Sequence, residues 1–339
     1  MDLLLPIQIN GPEERIEYSD EVLLTGSCFT EHIGEHLHDL KFRVLQNPHG
    51  ILFDAYSVAG SLRSYVKPRE YTGKDLIHLN ELWQSWEHHS RFSHMDQREC
   101  LQGINASQHA AHEHLKNSRW LIITLGSSFS YRLTREAVLA TQGGTEDMPV
   151  ANCHRAPAAW FRKHLMDTEE IFQEMAQALR EVWALNPGLQ VLLTVSPVRH
   201  IRDGVIANNR SKARLIEAVH RLVESDPRTY YFPSYELVID VLRDYRFYDI
   251  DLVHPNFAAT RYVMEQFMQH FVSEEAVLLS GEIQQIVHAR KHRPFQPLTN
   301  AHKRFLNTFL EKARQLQSRC PYLDLQEEIR YFAGGSEGA

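Results

Sequence analysis

Two short stretches, far apart in the chain, carry residue types that could act together as a catalytic centre. The first is Gly26-Ser27-Cys28-Phe29-Thr30, one residue after the apolar run Val22-Leu-Leu. A small residue and a nucleophile at a strand-to-helix turn lift the side chain above the sheet edge. The free N–H groups of the following helix then point at it. A thiol so placed is activated, because a helix N-terminus and a nearby imidazole can bring a cysteine pKa down to about 3.5–7.5. Alone, the same turn also suits a structural cysteine behind a tight glycine. The second stretch is Asp251-Leu-Val-His254-Pro-Asn256. A carboxylate three residues before an imidazole can reach it across one turn of chain. An Asp that fixes a His tautomer is the base half of a nucleophile–base–orienter triad. Alone, it equally suits a helix cap with an incidental His.

These stretches need elements to position them. Short apolar runs alternate with helix-like segments, the pattern of a parallel sheet covered on both faces, which makes the chain α/β. Strands are expected at Glu21–Thr25, Phe42–Leu45, Arg119–Leu125, Leu189–Val195 and Tyr230–Pro233, with helices at Glu31–Leu40, Thr168–Leu185 and Ala258–Phe271. An insertion at 51–118 is expected to hold helices near 54–66 and 106–116 around a Trp- and His-rich loop, Leu82–His94. A second, 127–166, reads as irregular from Gln142-Gly-Gly onward. Loops this long in a compact domain are more often functional than filler. The tail, 274–339, reads as one or two amphipathic helices ending in a frayed Gly334-Gly-Ser-Glu-Gly338. The expected division is a main domain over 1–273 and a helical extension over 274–339.

Composition narrows the function classes. The chain has 339 residues, 43% hydrophobic and 23% charged, which suits a globular protein with a sizeable core. A net charge of −7 argues against a nucleic-acid partner held mainly by charge. The apolar runs are too short to span a bilayer, and the N-terminus has no signal-peptide pattern. Four cysteines at 28, 100, 153 and 320 form no C-x-x-C pair, so reduced thiols in a cytoplasmic setting are expected. Twenty histidines invite a metal hypothesis, and His32 and His36 share a helix face. No His-Glu-x-x-His is present, however, and no carboxylate is evidently placed to complete a site, so neither metal nor cofactor is expected. Trp83, Trp86, His88, His89 and Phe92 suit either a substrate pocket or a packed insertion. Arg199, His200 and Lys212 follow the fourth strand. They suit either an anionic substrate group or ion pairs with Asp203 or Glu236.

Taken together, the two blocks resemble the SGNH/GDSL hydrolase superfamily, in which a Gly-Asp-Ser-Leu block follows the first strand and an Asp-x-x-His block lies near the C-terminus. Within it the sequence is similar to the GSCFA family, whose motif stands here as Gly26-Ser27-Cys28-Phe29-Thr30. Asn47-Pro-His-Gly50, Thr124-Leu-Gly126, Asn152-Cys-His154, Ser196-Pro-Val-Arg-His200, Ser211-Lys212, Phe232-Pro-Ser-Tyr-Glu236 and Arg246-Phe-Tyr248 are similar too. The resemblance covers residues 3–272. It implies a three-layer α/β/α, flavodoxin-like fold with a five-stranded parallel sheet.

It also implies an esterase, thioesterase or acyltransferase acting on an acylated small molecule or sugar. Laid on the superfamily block, the nucleophile falls on Cys28, with Ser27 as the one-residue-shift alternative. His254 would be the base and Asp251 its orienter. Oxyanion donors would be the N–H groups of Cys28 and Gly50. The third block normally supplies an Asn, but here it reads Gly126-Ser127-Ser128. A substitute would have to come from Ser127, Ser128, Asn152 or His154, since losing one such donor typically costs about 10²–10³ in kcat. Without a substitute, the alternative is a catalytically silent binding protein.

Overall fold

The computed structural model describes residues 5–292 and 295–334. Most of the expected frayed end, from Gly335 onward, lies outside them. Among the described residues ten strands and eleven α-helices follow one another, apart from short 3-10 and π turns. In order they are β1 (Glu21–Gly26), α1 (Cys28–Asp39), β2 (Arg43–Gln46), α2 (Ala55–Val66), β3 (Ile77–Leu79), β4 (Leu82–Gln84), α3 (Gln97–Asn117) and β5 (Trp120–Leu125). The second insertion holds β6 (Phe129–Leu133), α4 (Arg135–Thr141), β7 (Pro149–Val150) and β8 (Phe161–Leu165). Then come α5 (Thr168–Leu185), β9 (Gln190–Val195), α6 (Val205–Ser225), β10 (Thr229–Phe232), the single turn α7 (Ser234–Glu236), α8 (Phe257–Phe271), α9 (Glu274–Lys291), α10 (Asn300–Arg319) and α11 (Gln326–Phe332).

The central sheet has five strands in the order β10-β9-β5-β1-β2, every neighbouring pair parallel. This is the expected three-layer α/β/α arrangement. Side chains alternate across a strand, so the apolar run of β1 serves both layers. Val22 and Leu24 join one core with α1, α8 and the C-terminal helices, while Leu23 joins the other with α2, α3, α5 and α6. Strands buried on both faces read as continuous apolar runs, which is why β1, β5 and β9 were so plain in the sequence. From β1 the chain steps outward to β2 and then crosses back to β5 on β1's other side. That reversal opens a crevice at the carboxyl ends of β1 and β5, where ligands bind in sheets of this kind.

Three expectations need correction. The stretch from Gln142 onward is not irregular throughout, since β7 and β8 lie within it and pair with β6 in a small antiparallel sheet. Its core joins the two insertions, with Ile77 and Trp86 packing with Leu133, Ala137 and Val150. The Trp- and His-rich loop Leu82–His94 likewise begins with β4, which pairs with β3 just before it in a hairpin. The tail forms three helices, α9, α10 and α11, whose Ile283, Leu316 and Phe332 share a hydrophobic core with Phe29 of α1 and Phe267 of α8. Among the described residues, no helix is long and apolar enough to cross a membrane.

Candidate active site

The Gly26–Cys28 turn is held on both sides by neighbouring strand ends. The Gly26 N–H donates to Asn47 Oδ1 at 2.9 Å, and the Ser27 N–H donates to Thr124 O at 3.0 Å. Gly26 has φ +139°, and a Cβ there would lie 2.1 Å from Thr124 O, so only glycine fits. Ser27 is the N-cap of α1 but makes no capping bond with its side chain. It is wholly buried, and its hydroxyl has no partner among the described residues. Cys28 is the first residue of α1 and is partly exposed, so of the two candidate nucleophiles it is the one solvent reaches. Its thiol faces the N–H groups of Cys28 and Phe29, the positive end of the helix. Burial pushes the thiol pKa up; the Lys212 charge and those N–H groups pull it down, and Glu31 adds to the rise.

Asp251 and His254 meet as the spacing suggested. Asp251 Oδ1 accepts the N–H groups of Val253 (2.9 Å) and His254 (3.0 Å), while Oδ2 accepts the ring Nδ1–H of His254 at 2.6 Å. The ionised carboxylate can only accept, so it fixes the proton on Nδ1 and leaves Nε2 as the acceptor. Nε2 makes no hydrogen bond among the described residues. These donors, the ring first, hold the Asp251 carboxyl down at about 2. The sign follows: the ionised Asp251 carboxylate steadies this loop above the ordinary carboxylate range, and the effect is lost as pH falls through about 2. In His254→Ala, the Asp251 midpoint followed by NMR should rise toward the ordinary value. An unchanged midpoint would mean that the ring does not hold the carboxylate.

Arg199 clips this loop to the chain leaving β9. Its N–H donates to Val253 O at 3.3 Å and its Nη1 to Leu252 O at 3.1 Å, and its guanidinium lies over Tyr248, 4.2 Å from the ring centroid. The loop therefore stands at the carboxyl edge of the sheet, where Cys28 also emerges. Among the described residues no hydrogen bond joins Cys28 Sγ to the His254 ring. The His254 charge is felt by His200, and the Lys212 charge by both His200 and Cys28.

The expected oxyanion donors fare differently. The Gly50 N–H is committed to its own turn, donating to Asn47 O at 2.7 Å, so it is not free for a substrate. The Ser127 N–H goes to Phe53 O (2.9 Å), and its hydroxyl accepts from the Phe129 N–H (3.0 Å). The Ser128 N–H goes to Ser211 Oγ (2.8 Å), and its hydroxyl donates to Ser211 O (3.1 Å). Both serines therefore build the turn after β5, clamped by a residue of α6. Asn152 Oδ1 accepts the His154 N–H at 2.8 Å, and its amide NH₂ makes no hydrogen bond among the described residues. The Cys28 N–H, at the start of α1, faces its own thiol and makes no other hydrogen bond among the described residues.

The expected substrate residues separate too. Arg199 is a structural clip, as described. Lys212 is no surface anion binder: it is buried, and its Nζ donates to Gly126 O and Ser196 O, each at 2.6 Å. Asp203 pairs with Lys163, and Glu236 accepts from Tyr231 Oη, so neither forms the expected ion pair. His154 is buried in the insertion, its Nε2 bonded to Ser85 O at 2.7 Å, and burial drops its pKa to about 4. His89 is wedged against Gly50, where a Cβ would meet the His89 Cβ at 2.2 Å. His200 stays at the crevice, edge-on to Phe53, with a buried and unpartnered Nε2. Burial lowers it to about 4, aided by the charges of Lys212 and His254.

A cavity of about 440 Å³ lies beside these residues, lined by Phe53, Ser127, Phe129, Tyr131, Asn152 and His200 among others. Sequence reasoning missed Phe53, whose carbonyl accepts the N–H groups of both Gly126 and Ser127, and Ser211. Only the Ser211-Lys212 resemblance pointed toward the second. Among the described residues no three His, Cys, Asp or Glu side chains are grouped to hold a metal ion.

Residues 21–267 match the GSCFA family, and residues 283–334 match the C-terminal domain of GSCFA domain proteins. No protein of curated function matches the chain. Among solved structures, a Bacteroides fragilis protein provisionally described as an acylhydrolase is similar over 80% of this chain and 91% of its own, at 9% identity and a TM-score of 0.38.

Proposed function

The chain belongs to the GSCFA family, and on that footing we propose that it is an acyl-processing enzyme working through Cys28, His254 and Asp251. The observation that carries this reading is the Asp251–His254 pair, 2.6 Å apart, with Nε2 unengaged and its loop clipped to the sheet edge where the thiol emerges. His254 Nε2 takes the thiol proton as the sulfur attacks the carbonyl of an ester or thioester. The carbonyl electrons move to oxygen, and that oxyanion forms at the N-terminus of α1, facing the Cys28 N–H. Collapse breaks the bond to the leaving group, which takes the proton back from His254. The acyl group now sits on sulfur as a thioester and passes to water, an alcohol, an amine or a thiol. The adjoining cavity is of a size for a small acyl group or acylated molecule, about 440 Å³.

A second reading, a binding protein without turnover, draws on the commitment of Gly50, Ser127 and Ser128 to structural bonds. Stopped-flow assays with p-nitrophenyl acyl esters separate the two. The enzyme should release a burst of about one nitrophenol per chain, with an acyl adduct on Cys28 in the mass spectrum. Ligand-induced thermal stabilisation with no adduct would favour the binder.

A further inference from the structure

Lys212, on α6, is a buried amine that this mechanism leaves without a task. Its Nζ bridges the carboxyl ends of β5 and β9 through the carbonyls of Gly126 and Ser196, each at 2.6 Å. Two of an ammonium's three hydrogens are thereby used, and the third has no protein acceptor among the described residues. Among the described residues no carboxylate pairs with it, and Asp203 and Glu236 are engaged elsewhere. An ammonium out of water with no anion beside it is costly, and burial accordingly brings this amine down to about 7.

Cys28 can supply the anion it lacks. Gly126, whose carbonyl holds Nζ, packs under the nucleophile turn; a Cβ there would come within 3.1 Å of Ser27 Cβ. The charge that Lys212 feels is that of Cys28, and Lys212 is the foremost charge favouring the Cys28 thiolate. We propose that Lys212 is the counter-charge of the Cys28 thiolate, a positioning residue held beneath the Ser27–Cys28 turn by two carbonyls, and not a binder of substrate. This rests on Cys28 being the nucleophile. The thiol proton leaves to His254, and the Lys212 ammonium stays to hold the sulfur anion. The other titratable groups around the pair are Glu31 on α1, His200, His254, and Tyr235 on α7, whose ring centroid is 5.9 Å from Nζ.

The test is iodoacetamide alkylation of Cys28 against pH, read by mass spectrometry in the full chain, in Lys212→Met and in Lys212→Arg. An opposite charge at close range moves a pKa by about 1–3, so the midpoint in Lys212→Met should rise by that much. Alkylation at neutral pH should then slow by about tenfold or more, and Lys212→Arg should restore the lower midpoint. An unchanged midpoint in Lys212→Met overturns the proposal. Lys212→Met also strips a donor from two buried carbonyls, so the alkylation of Cys100 and Cys320 reports unfolding. If that variant does not fold, the Lys212 amine titrated by ¹³C NMR in Cys28→Ala decides. Its midpoint should fall once the thiolate is gone, and indifference to Cys28→Ala overturns the pairing. The two readings fail separately. Cys28-dependent turnover with an unshifted profile removes the role of Lys212 alone, and a shifted profile without turnover removes the acyl reaction alone.

Discussion

Cys28→Ala, His254→Ala and the double variant are expected to fall to one common floor of kcat/KM, on the order of 10⁴-fold below the unaltered chain on a p-nitrophenyl acyl ester. A thiol whose pKa is raised by burial is a weak nucleophile until a base takes its proton, and a base without that proton to take does nothing for this reaction. Groups that act as one unit lose their whole effect when either is removed, so the second substitution adds nothing. If instead the double variant drops by the product of the two single losses, the residues act separately and the triad reading is wrong. The absence of a Cys28–His254 hydrogen bond without substrate does not weaken this expectation. Such bonds are often long or misaligned in the resting enzyme and tighten in the complex. Asp251, Leu252 and His254 are all exposed, so little packing opposes a small approach of that loop.

Why this pair was legible in the sequence, and its surroundings were not, is a matter of range. Asp251 and His254 are three residues apart, and their bond is a local fact that spacing encodes. Cys28 follows a run buried on both faces, and such runs stand out without any tertiary knowledge. The strands of the inserted sheet lack that signal. β7 is only two residues long, and β8 buries none of its five residues fully, so polarity masks its alternation. α3 begins at Gln97, well before the stretch near 106 that reads as helical, because its early turns bury only Cys100 and Ile104 among polar residues. Lys212 shows the deeper limit. A lysine reads as a surface cation by default, and only the carbonyls ending β5 and β9 turn it inward. Gly50 shows the converse: a motif position suggests a free N–H, but the turn that presents it uses that N–H at 2.7 Å.

The C-terminal helices depend on a buried charge cluster, and Lys41→Met should destabilise the chain by about 3–5 kcal/mol in urea unfolding. Glu328 of α11 is wholly buried, 2.9 Å from the Lys41 ammonium and 3.5 Å from Arg290 Nε of α9. Lys41 belongs to the turn leaving α1, the helix that carries Cys28, so this contact fastens the tail to the element bearing the thiol. Removing Lys41 takes the nearest cation from a carboxylate that water cannot reach. Lys41→Met with Glu328→Met should recover most of the loss, because a buried ion pair replaced whole by apolar side chains is often neutral or stabilising. Far-ultraviolet circular dichroism should place the loss in Lys41→Met partly in the helices, since Phe332 and Leu325 share the core that the pair closes. A shift below about 1 kcal/mol in the single variant, the range of exposed pairs, would show that Arg290 or water compensates the carboxylate once Lys41 is gone. In that case the apolar contacts of α10 and α11, and not the Lys41 contact, hold the tail against α1.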